Sequence, residues 1–574
     1  ARARGPRGPS RRMGPALLLR LAGLSGTAGS RCSYPDSCFK AAPWNELGAS
    51  VRLYNLEPLQ IDPARNDGPG ESDELWLAEQ PAGMQHSGGM GSPTRPGWAR
   101  TNTTPAKYVE LRSTEDAQRA VRFAADHNLA VSVKSTGHDW FGRSAKQGSL
   151  LLWTHRMTDV AWHDAYTPAG CSEGAGAAVT LGAGVQFWQL YDEAIERRRM
   201  VVGGTCSTVG HVGFTLGGGY GTHSRMYGSG ATNLLEAEVV LADGSAVVAS
   251  KCNEHADLFK ALRGGGGGFA LVAKLTYRTY DWPYPGTVGT IDGRIEGSLE
   301  SAAERFLRWY EDMITRGLSL HFGGKMFVYN NYVQVQLSFA RLQAGACQGL
   351  VAPLGLRCQP HDQDWKEGDA RYSHFGVRGW MPSWGPDSSS HYYVETLSRY
   401  FQLSHLQGGR RQTFANVLAR LARTLPLDYK SFLAVNINYV LGHASQDALA
   451  WVSETSTHPQ AYQAVGTVKL TRRLHPFEPA RDEPVQQQYW ENLQLFRREL
   501  EQLLPGAGSY NNEGDYTAEG WPQLYWGSNY PGLLRTQQRY DPRGLFSCFQ
   551  CVGADPETGA PDVGPALASG APVS

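Results

Sequence analysis

Long hydrophobic runs are missing from most of this 574-residue sequence. Beyond the first 30 residues, no segment approaches the roughly 18 uninterrupted apolar residues that a membrane span requires. Internal repeats, lysine-rich arms and basic patches are also missing from that part of the chain. These absences predict no membrane span and argue against nucleic acid as a partner.

The net charge is zero, but the charges are unevenly distributed. Residues 1–30 contain six arginines and no acidic side chain, whereas the remainder contains 48 basic and 54 acidic side chains. The order of charged, apolar and small residues in 1–30 is typical of a secretory leader, with a disordered arm as the alternative. Together with the glycosylation sequon at Asn102, this order predicts a secreted or endomembrane protein.

The composition, with 41% apolar and 19% charged residues, indicates a globular protein. Its length predicts about two to four domains. Residues 31–100 are rich in glycine, proline and polar residues, so we expect an extension that wraps on a domain. The tail after Val552 is rich in proline, alanine and glycine, and is predicted to be disordered.

The cysteines form an odd set: Cys32, Cys38, Cys171, Cys206, Cys252, Cys347, Cys358, Cys548 and Cys551. In an exported protein, eight could pair and one would be left over. The first two, and Cys347 with Cys358, are candidates for local pairing, but spacing does not determine the connectivity. Cys548 and Cys551 have the spacing of half a zinc site, but no second pair of ligands accompanies them, so we predict no metal.

The most unusual stretch is 201–221, VVGGTCSTVGHVGFTLGGGYG, which contains eight glycines and one cysteine. This glycine density argues against a helix and predicts a surface held against something flat. A flexible linker is the alternative, although linkers lack the apolar residues that lie between these glycines. At this point Cys206 is either a buried thiol, half of a disulfide or a ligand contact.

A second candidate site follows a predicted strand–helix–strand unit over about 106–133, in which Ser113 would cap the helix. The unit leads into KSTGHDWFGRS at 134–144, whose hydroxyls and backbone N–H groups can face a pyrophosphate. This loop lacks the spacing of a Walker A or GxGxxG motif. A further glycine cluster at 264–268 suggests backbone lying along an extended ligand.

Other patterns predict a helix from Phe187 to about 199, a hairpin that turns at 243–244 and a helix near Tyr489. From about residue 283, alternating aromatic segments predict a second domain with an antiparallel sheet. Its strand at 432–440 places Phe432, Ala434, Asn436 and Asn438 on one face, but the sequence does not identify the face that lines a pocket.

Taken in order, the motifs resemble the FAD-linked oxidases of the berberine-bridge-enzyme-like group, which have the vanillyl-alcohol-oxidase fold. The resemblance covers about residues 100–280 and 490–552, and NLAVSVKSTGHDWFGRS with SLLLWTHRM is similar to fungal-type oligosaccharide or alcohol oxidases. The motifs that carry it are STGHDWFGRS, GAGVQFWQLY, GGTCSTVGHVGFTLGGGYG, EVVLADG, LFKALRGGGGG, YNNEGDY, YWGSNYPGLL and RYDPRGLF.

The resemblance implies an α+β, two-domain vanillyl-alcohol-oxidase-type fold. A substrate domain with an antiparallel sheet would be inserted into the FAD-binding domain. The expected segments are a leader (1–30), an extension (31–100), the first FAD-binding part (101–282), the substrate domain (283–488), the FAD-binding return (489–553) and a tail (554–574).

The resemblance also implies FAD held by a histidine at the 8α-methyl and by a cysteine at ring C6. The matching residues are His138 and Cys206, which would leave the other eight cysteines for pairing. The other expected cofactor contacts are Ser135, Thr136, Gly137, Asp139, Val209, Gly210, Gly217, Gly218, Val272, Tyr510 and Asn512.

Two positions depart from the family pattern. Phe214 stands where the family commonly has a histidine against the flavin pyrimidine edge, and phenylalanine cannot donate that hydrogen bond. Trp140 stands where many relatives have tyrosine. Val209 matches the family's oxygen-gating position, with a size compatible with oxygen access.

The family mechanism implies hydride transfer from the carbon of a small alcohol or carbohydrate to flavin, while a base takes the hydroxyl proton. Dioxygen then reoxidises the flavin and gives H₂O₂. Candidates for the base are Asn438, Tyr439, Tyr510, Asn512 and Glu513, of which Tyr439 and Glu513 are our predicted catalytic residues. A flavin dehydrogenase with another acceptor, or a flavin-binding protein without activity, stays open.

Overall fold

A computed structural model provides the structure of the chain. It describes residues 31–33, 36–55, 105–146, 148–204, 206, 208–281, 288–318, 322–339, 346–361, 393–427, 431–437, 444–449, 452–474, 479–515 and 517–554. From Cys32 onward, these residues belong to one compact unit, Cys32–Asp562. The predicted leader, the sequon at Asn102, the tail from residue 555 and the candidates Asn438 and Tyr439 lie outside the described residues.

Strands and helices are numbered in chain order within the described residues. The strands are β1 Arg52–Asn55, β2 Lys107–Glu110, β3 Val131–Lys134, β4 Leu150–Trp153, β5 Val160–Tyr166, β6 Gly176–Gly182, β7 Arg199–Met200, β8 Leu234–Val240, β9 Ala246–Ser250, β10 Leu271–Arg278, β11 Tyr280–Asp281, β12 Val288–Ile295, β13 Phe322–Val328, β14 Val333–Phe339, β15 Gln359–His361, β16 Tyr393–Phe401, β17 Phe432–Asn436 and β18 Gly466–Leu474. The α-helices are α1 Ser37–Ala41, α2 Trp44–Ser50, α3 Thr114–Asp126, α4 Phe187–Glu196, α5 His211–Leu216, α6 Ser224–Tyr227, α7 Gly230–Asn233, α8 Ala256–Leu262, α9 Leu299–Thr315, α10 Ala346–Val351, α11 Gly409–Ala422, α12 Gln446–Leu449, α13 Pro479–Leu503, α14 Trp521–Trp526 and α15 Tyr530–Tyr540.

The first sheet has the strand order β1-β2-β4-β3, in which β2, β4 and β3 are parallel and β1 is antiparallel. The Ser113 side chain accepts a hydrogen bond from the Asp116 N–H and caps α3, as its position predicts. The apolar face of α3 is buried with Val109 and Leu152 of the sheet. The carboxyl end of β3 leads directly into the loop at 135–144.

The second sheet is antiparallel, with the order β5-β6-β10-β8-β9. Its β8–β9 hairpin turns at the predicted place, where Gly244 has φ 79°. The glycine cluster at 264–268 lies between α8 and β10, so it ends beside the central strand of this sheet.

Three boundaries differ from the predictions. Helix α4 ends at Glu196, because Arg198 has φ 52° and the chain then enters β7, which pairs with β11. The glycine-rich stretch contains a helix, α5, contrary to the prediction, because HVGFTL has only one glycine and ends where three consecutive glycines begin. Helix α13 begins at Pro479, ten residues before Tyr489.

The third sheet has seven strands in the order β15-β12-β14-β13-β17-β18-β16, and all neighbours are antiparallel. On one face, Leu433 and Val435 of β17 pack in a core with helices α9 and α11. The alternation of β17 therefore leaves Phe432, Ala434 and Asn436 on the opposite face. This arrangement agrees with the predicted antiparallel sheet, while the predicted domain boundaries stay predictions.

Four disulfides join the cysteines outside the glycine-rich stretch: Cys32–Cys38, Cys171–Cys252, Cys347–Cys358 and Cys548–Cys551. The extension at 31–55 is also partly regular, since β1 extends the first sheet. The zinc-like spacing of the last two cysteines is therefore that of a disulfide. Cys206 is the ninth cysteine and lies outside these disulfides.

Candidate active site

A cavity of about 360 Å³ is lined by the glycine-rich segments and by the third sheet. We call its lining residues within 135–139, 209–217 and 266–268 the glycine wall, and those from β13, β17 and β18 the sheet wall. Predicted site residues on the cavity are Ser135, Thr136, Gly137, His138, Asp139, Cys206, Val209, Gly210, Gly217, Val272, Tyr510, Asn512 and Glu513. Gly218 is buried one residue beyond this lining, and Tyr439 lies outside the described residues.

The loop at 135–144 is held at two of its hydroxyl residues, Ser135 and Thr136. Ser135 donates its hydroxyl to the Ala183 carbonyl (2.8 Å), and the Thr136 hydroxyl accepts from the Gly210 N–H (3.2 Å). The Ser135 proton is therefore used within the protein, and a phosphate at this loop would contact backbone N–H groups instead. Gly137 has φ 93°, a conformation that favours glycine, and it allows the chain to turn here.

An arginine connects this loop to the C-terminal segment. The Arg143 guanidinium donates to Asp139 Oδ1 (2.7 Å) and to Asn511 Oδ1 (2.8 Å). Asp139 also accepts from the Arg143 N–H (2.6 Å). The predicted cofactor contact Asp139 thus shapes the loop, while Arg143 ties the loop to Asn511 of the C-terminal segment.

The two expected anchor residues, His138 and Cys206, both line the cavity. Between them lies the hydroxyl of Thr208, a fully buried residue. Thr208 Oγ1 is 2.8 Å from His138 Nε2 and 3.8 Å from Cys206 Sγ. The fold therefore brings an imidazole and a thiol, 68 residues apart in the sequence, to one cavity.

Phe214 lines the cavity within an apolar, tightly packed part of the glycine wall. Its ring meets Phe187 edge to face, with centroids 4.9 Å apart. A Cβ at Gly219 or Gly230 would lie 2.5 or 2.7 Å from the Phe214 ring. These two glycines make room for the ring. The packing around residue 214 therefore accommodates the phenylalanine that replaces the histidine common in the family.

Beneath the glycine wall, His211 begins helix α5 and is 1% exposed. Its Nε2–H donates to the Gly182 carbonyl (2.9 Å), so Nδ1 accepts from the Tyr277 hydroxyl (3.0 Å). Burial lowers the pKa of His211 to about 4, because a charged imidazolium would lose its hydration. This histidine is therefore neutral and structural.

The sheet wall presents side chains rather than backbone. Phe432, Ala434 and Asn436 of β17 line the cavity, which identifies the face that the sequence left undecided. The remaining members of this wall are Lys325, Lys469 and Thr471.

Four polar side chains meet where the two walls join. Glu513 Oε1 accepts from Lys469 Nζ (2.7 Å) and from the Tyr220 hydroxyl (2.8 Å). The Tyr220 oxygen also accepts from Asn436 Nδ2 (2.7 Å). Lys469 lies 4.0 Å from the centroid of the Trp140 ring, in a cation–π contact. We call Tyr220, Asn436, Lys469 and Glu513 the polar cluster.

Within the polar cluster, only Glu513 is predicted from the sequence to be catalytic. Tyr220 is the single tyrosine in the run GGGYG, which is a usable signal because a polar aromatic ends an otherwise glycine-rich surface. Lys469 is a charged residue within the strand sequence GTVKLTRRL. Neither signal connects the residue to Glu513, so their contact required the structure.

The chain matches two family models. An FAD binding domain matches residues 105–250, and a berberine and berberine-like domain matches residues 509–553. The chain therefore contains an FAD binding domain and a berberine-like domain, as the sequence motifs predict. The resemblance seen in the sequence is thereby confirmed.

Relatives of this family cover nearly the whole chain. FAD-linked oxidoreductase apf9 of Gibberella fujikuroi is 28% identical, over 94% of this chain and 96% of its own. The crystal structure of VAO-type flavoprotein MtVAO615 from Myceliophthora thermophila has a TM-score of 0.71 at 24% identity, with 91% of this chain and 97% of that chain covered.

A glucooligosaccharide oxidase from Acremonium strictum, described with 6-S-cysteinyl, 8α-N1-histidyl FAD, gives a TM-score of 0.63 at 22% identity. The match covers 78% of this chain and 92% of that chain. These structural similarities confirm the predicted α+β, VAO-type fold.

The described residues include no helix that is long and apolar enough to cross a bilayer. Their histidine, cysteine and acidic side chains form no group of three suited to a metal ion.

The cavity fits an FAD. Gly213 lines the cavity, and a Cβ built there would meet no atom within 4 Å, so a planar ring can approach this backbone closely. The volume lies within the range of small-molecule sites, roughly 300–1,000 Å³. His138, Cys206 and the loop at 135–139 are the residues that would hold the cofactor.

Proposed function

We propose that this protein is an FAD-dependent oxidase of alcohol or carbohydrate hydroxyl groups, with dioxygen as electron acceptor. In the net reaction, an alcohol and dioxygen give a carbonyl compound and hydrogen peroxide. The observation that carries the proposal is the polar cluster, because it puts a carboxylate and a phenol on the cavity that also contains His138 and Cys206.

The polar cluster supplies a path for the substrate's hydroxyl proton. Tyr220 donates its own hydrogen to Glu513, so its oxygen can accept a proton from a substrate hydroxyl as that hydrogen moves to the carboxylate. Lys469 balances the carboxylate charge before the transfer, and Asn436 fixes the orientation of the phenol. Glu513 is thus the final proton acceptor, and Tyr220 is the group that contacts the substrate.

The cofactor supplies the redox chemistry. When bound, FAD would supply a hydride acceptor for the substrate carbon and a two-electron donor for dioxygen. We propose that it is attached through His138 and Cys206, which is supported by their position on one cavity and by the doubly linked FAD of the Acremonium strictum oxidase. The other catalytic prediction, Tyr439, stays a prediction.

The proposed site of action is an oxidising compartment, with secretion as the route. Four disulfides support this proposal, because such bonds persist outside the reducing cytosol. A covalent cofactor suits the same setting, since lost FAD would not be replaced there.

Two measurements test the proposed function. After acid denaturation, the yellow colour should stay on the polypeptide, and a colourless pellet would contradict covalent attachment. The native protein is then offered a panel of sugars, oligosaccharides and alcohols while oxygen consumption and hydrogen peroxide are recorded. At least one substrate should give equal amounts of oxygen consumed and peroxide formed.

Reoxidation of the reduced protein distinguishes the oxidase from a dehydrogenase. We expect air to reoxidise the flavin within seconds, faster than the turnover it must support. Reoxidation over many minutes in air, together with fast reoxidation by a dye, would identify a dehydrogenase instead. Failure of every substrate in the panel to reduce the flavin would favour a protein without activity.

A further inference from the structure

Thr208 contacts both expected anchor residues, His138 and Cys206. Its hydroxyl oxygen is 2.8 Å from His138 Nε2 and 3.8 Å from Cys206 Sγ. Its side chain is fully buried, whereas His138 and Cys206 line the cavity. Thr208 therefore contacts the two nucleophiles from within the protein and leaves their cavity side to the cofactor.

The segments that carry Thr208 and His138 pack closely against each other. The Gly210 N–H donates to Thr136 Oγ1, and a Cβ at Gly210 would lie 2.6 Å from Ser135 Oγ. The two segments that carry His138 and Thr208 are thus packed in close contact on either side of their hydrogen bond. The Thr208 hydroxyl is placed by the fold before any cofactor binds.

A threonine hydroxyl has one hydrogen to donate and two lone pairs that accept. When it donates to Cys206 Sγ, it accepts from the Nε2–H of His138, and Nδ1 keeps its lone pair. In the reverse arrangement, the hydroxyl donates to Nε2, so Nδ1 carries the ring hydrogen and neither ring nitrogen is nucleophilic. Only the first arrangement leaves the imidazole ready to react and stabilises a thiolate at the same time.

We infer that Thr208 is a positioning residue for both flavin attachments, because one hydroxyl selects Nδ1 of His138 as nucleophile and donates to the Cys206 sulfur. This inference rests on the covalent FAD of the proposed function. After reaction at Nδ1, the Nε2 hydrogen is lost, and the hydroxyl rotates to donate to Nε2.

The chemistry of each attachment balances with dioxygen as oxidant. One carbon–hydrogen bond of the flavin is replaced by a carbon–nitrogen or carbon–sulfur bond. The hydrogen from carbon and the hydrogen from the imidazole or thiol leave with two electrons, and dioxygen takes them up as hydrogen peroxide. Thr208 neither gains nor loses atoms in this process.

The test uses full-length protein produced under riboflavin limitation, to which FAD is added. Thr208→Val removes the hydroxyl with little change in shape, Thr208→Ser keeps it, and Thr276→Val is a control that loses a buried threonine pair far from the anchors. Peptide mass spectrometry follows flavin attachment at His138 and Cys206 over time, and thermal unfolding of each apoprotein confirms folding.

We expect Thr208→Val to slow attachment at both residues by about tenfold or more, while Thr208→Ser and the control stay within about threefold of wild type. The pH dependence of attachment at Cys206 should also move to higher pH in Thr208→Val, because the thiolate has lost a donor. A merely structural role would not move that profile.

Wild-type rates at both residues in Thr208→Val would overturn the inference. So would slowing at one residue only, or a Thr208→Ser variant as slow as Thr208→Val in a folded protein. If the wild-type protein takes up no covalent flavin, the proposed covalent attachment itself is contradicted. The wild-type measurement alone identifies this outcome, so it is distinct from a failure of the inference about Thr208.

Discussion

The glycine wall and the sheet wall face one cavity, but the first is formed mainly by backbone and the second by side chains. The glycine wall offers mainly backbone, and its shape depends on missing side chains. A Cβ at Gly217, for example, would lie 2.3 Å from the Asn512 side chain. The sheet wall offers side chains, among them Asn436 of β17 and Lys469 of β18.

This difference separates two tasks. A backbone wall fits a flat cofactor with little dependence on individual side chains, whereas a side-chain wall sets which substrate group is held and where its proton goes. Tyr220 and Glu513 lie where the walls meet, and they connect the cofactor side to Asn436 of the sheet. The comparison therefore predicts that cofactor content and turnover can be lost independently.

The largest effect is expected at this junction. Tyr220→Phe should lower the rate constant for flavin reduction by about 10²- to 10⁴-fold, because the proton of the substrate hydroxyl loses its acceptor. Covalent FAD content should stay at the wild-type level. Stopped-flow absorbance with a substrate from the panel measures the first quantity, and the absorbance of denatured protein measures the second.

Tyr166→Phe provides the matched control for the junction. Tyr166 also donates to a glutamate, Glu236 (2.6 Å), but on strand β5 of the second sheet. Its variant should reduce flavin at the wild-type rate. An unchanged rate constant for flavin reduction in Tyr220→Phe would mean that Glu513 accepts the substrate proton without this tyrosine.

Acid should lower the free energy of unfolding through His211, which lies beneath the glycine wall. His211 takes up a proton near its ordinary pKa of about 6.5 in the unfolded chain, but only near pH 4 in the folded protein. Between these values the unfolded state binds more protons, so stability is complete above pH 6.5 and is lost as the pH falls toward 4. We expect a loss of about 2 kcal/mol from pH 7 to 5 through this residue.

Urea unfolding at both pH values measures that loss. In His211→Gln the residue does not titrate, so the decrease in the free energy of unfolding should be smaller by about the same 2 kcal/mol. Equal pH dependence in the variant and the wild type would assign the acid sensitivity to other groups.

The glycine wall itself is tested at Gly213. Because a Cβ there meets no protein atom, Gly213→Val should leave the folded apoprotein intact but should lower FAD binding by about tenfold or more. Gly221→Val is the contrasting variant, since its Cβ would lie 1.9 Å from the Gly203 oxygen and should impair folding itself. Full FAD content in Gly213→Val would place the cofactor elsewhere.

The smallest effect is expected from Phe214→His. A polar ring between Phe187 and the glycines that accommodate Phe214 should lower stability by about 1 kcal/mol. FAD content should stay near wild type if backbone dominates this wall, whereas the reduction potential should change because a donor is introduced. Thermal unfolding and spectroelectrochemistry measure the two effects. Loss of most FAD would contradict the view that backbone dominates the glycine wall.

Much of the glycine wall could be predicted from the sequence. Strand, loop and glycine motifs are local, and the family that they resemble implies that Ser135, His138 and Cys206 contact the cofactor. All three line the cavity. The helix α5 was missed because glycine density was weighed over the apolar HVGFTL segment. The hydroxyl contacts of Ser135 and Thr136 were missed because their acceptor and donor come from other segments.

The sequence by itself determined the resemblance to the family and the order of the glycine loops along the chain, and through that resemblance it selected Cys206 as the ninth cysteine. Only the tertiary structure decided which face of β17 lines the cavity and which residues surround Glu513. The reason is distance along the chain: Tyr220 is 216 residues from Asn436 and 293 residues from Glu513. No local pattern encodes such contacts, because they form only when the third sheet and the C-terminal segment close on the glycine-rich stretch.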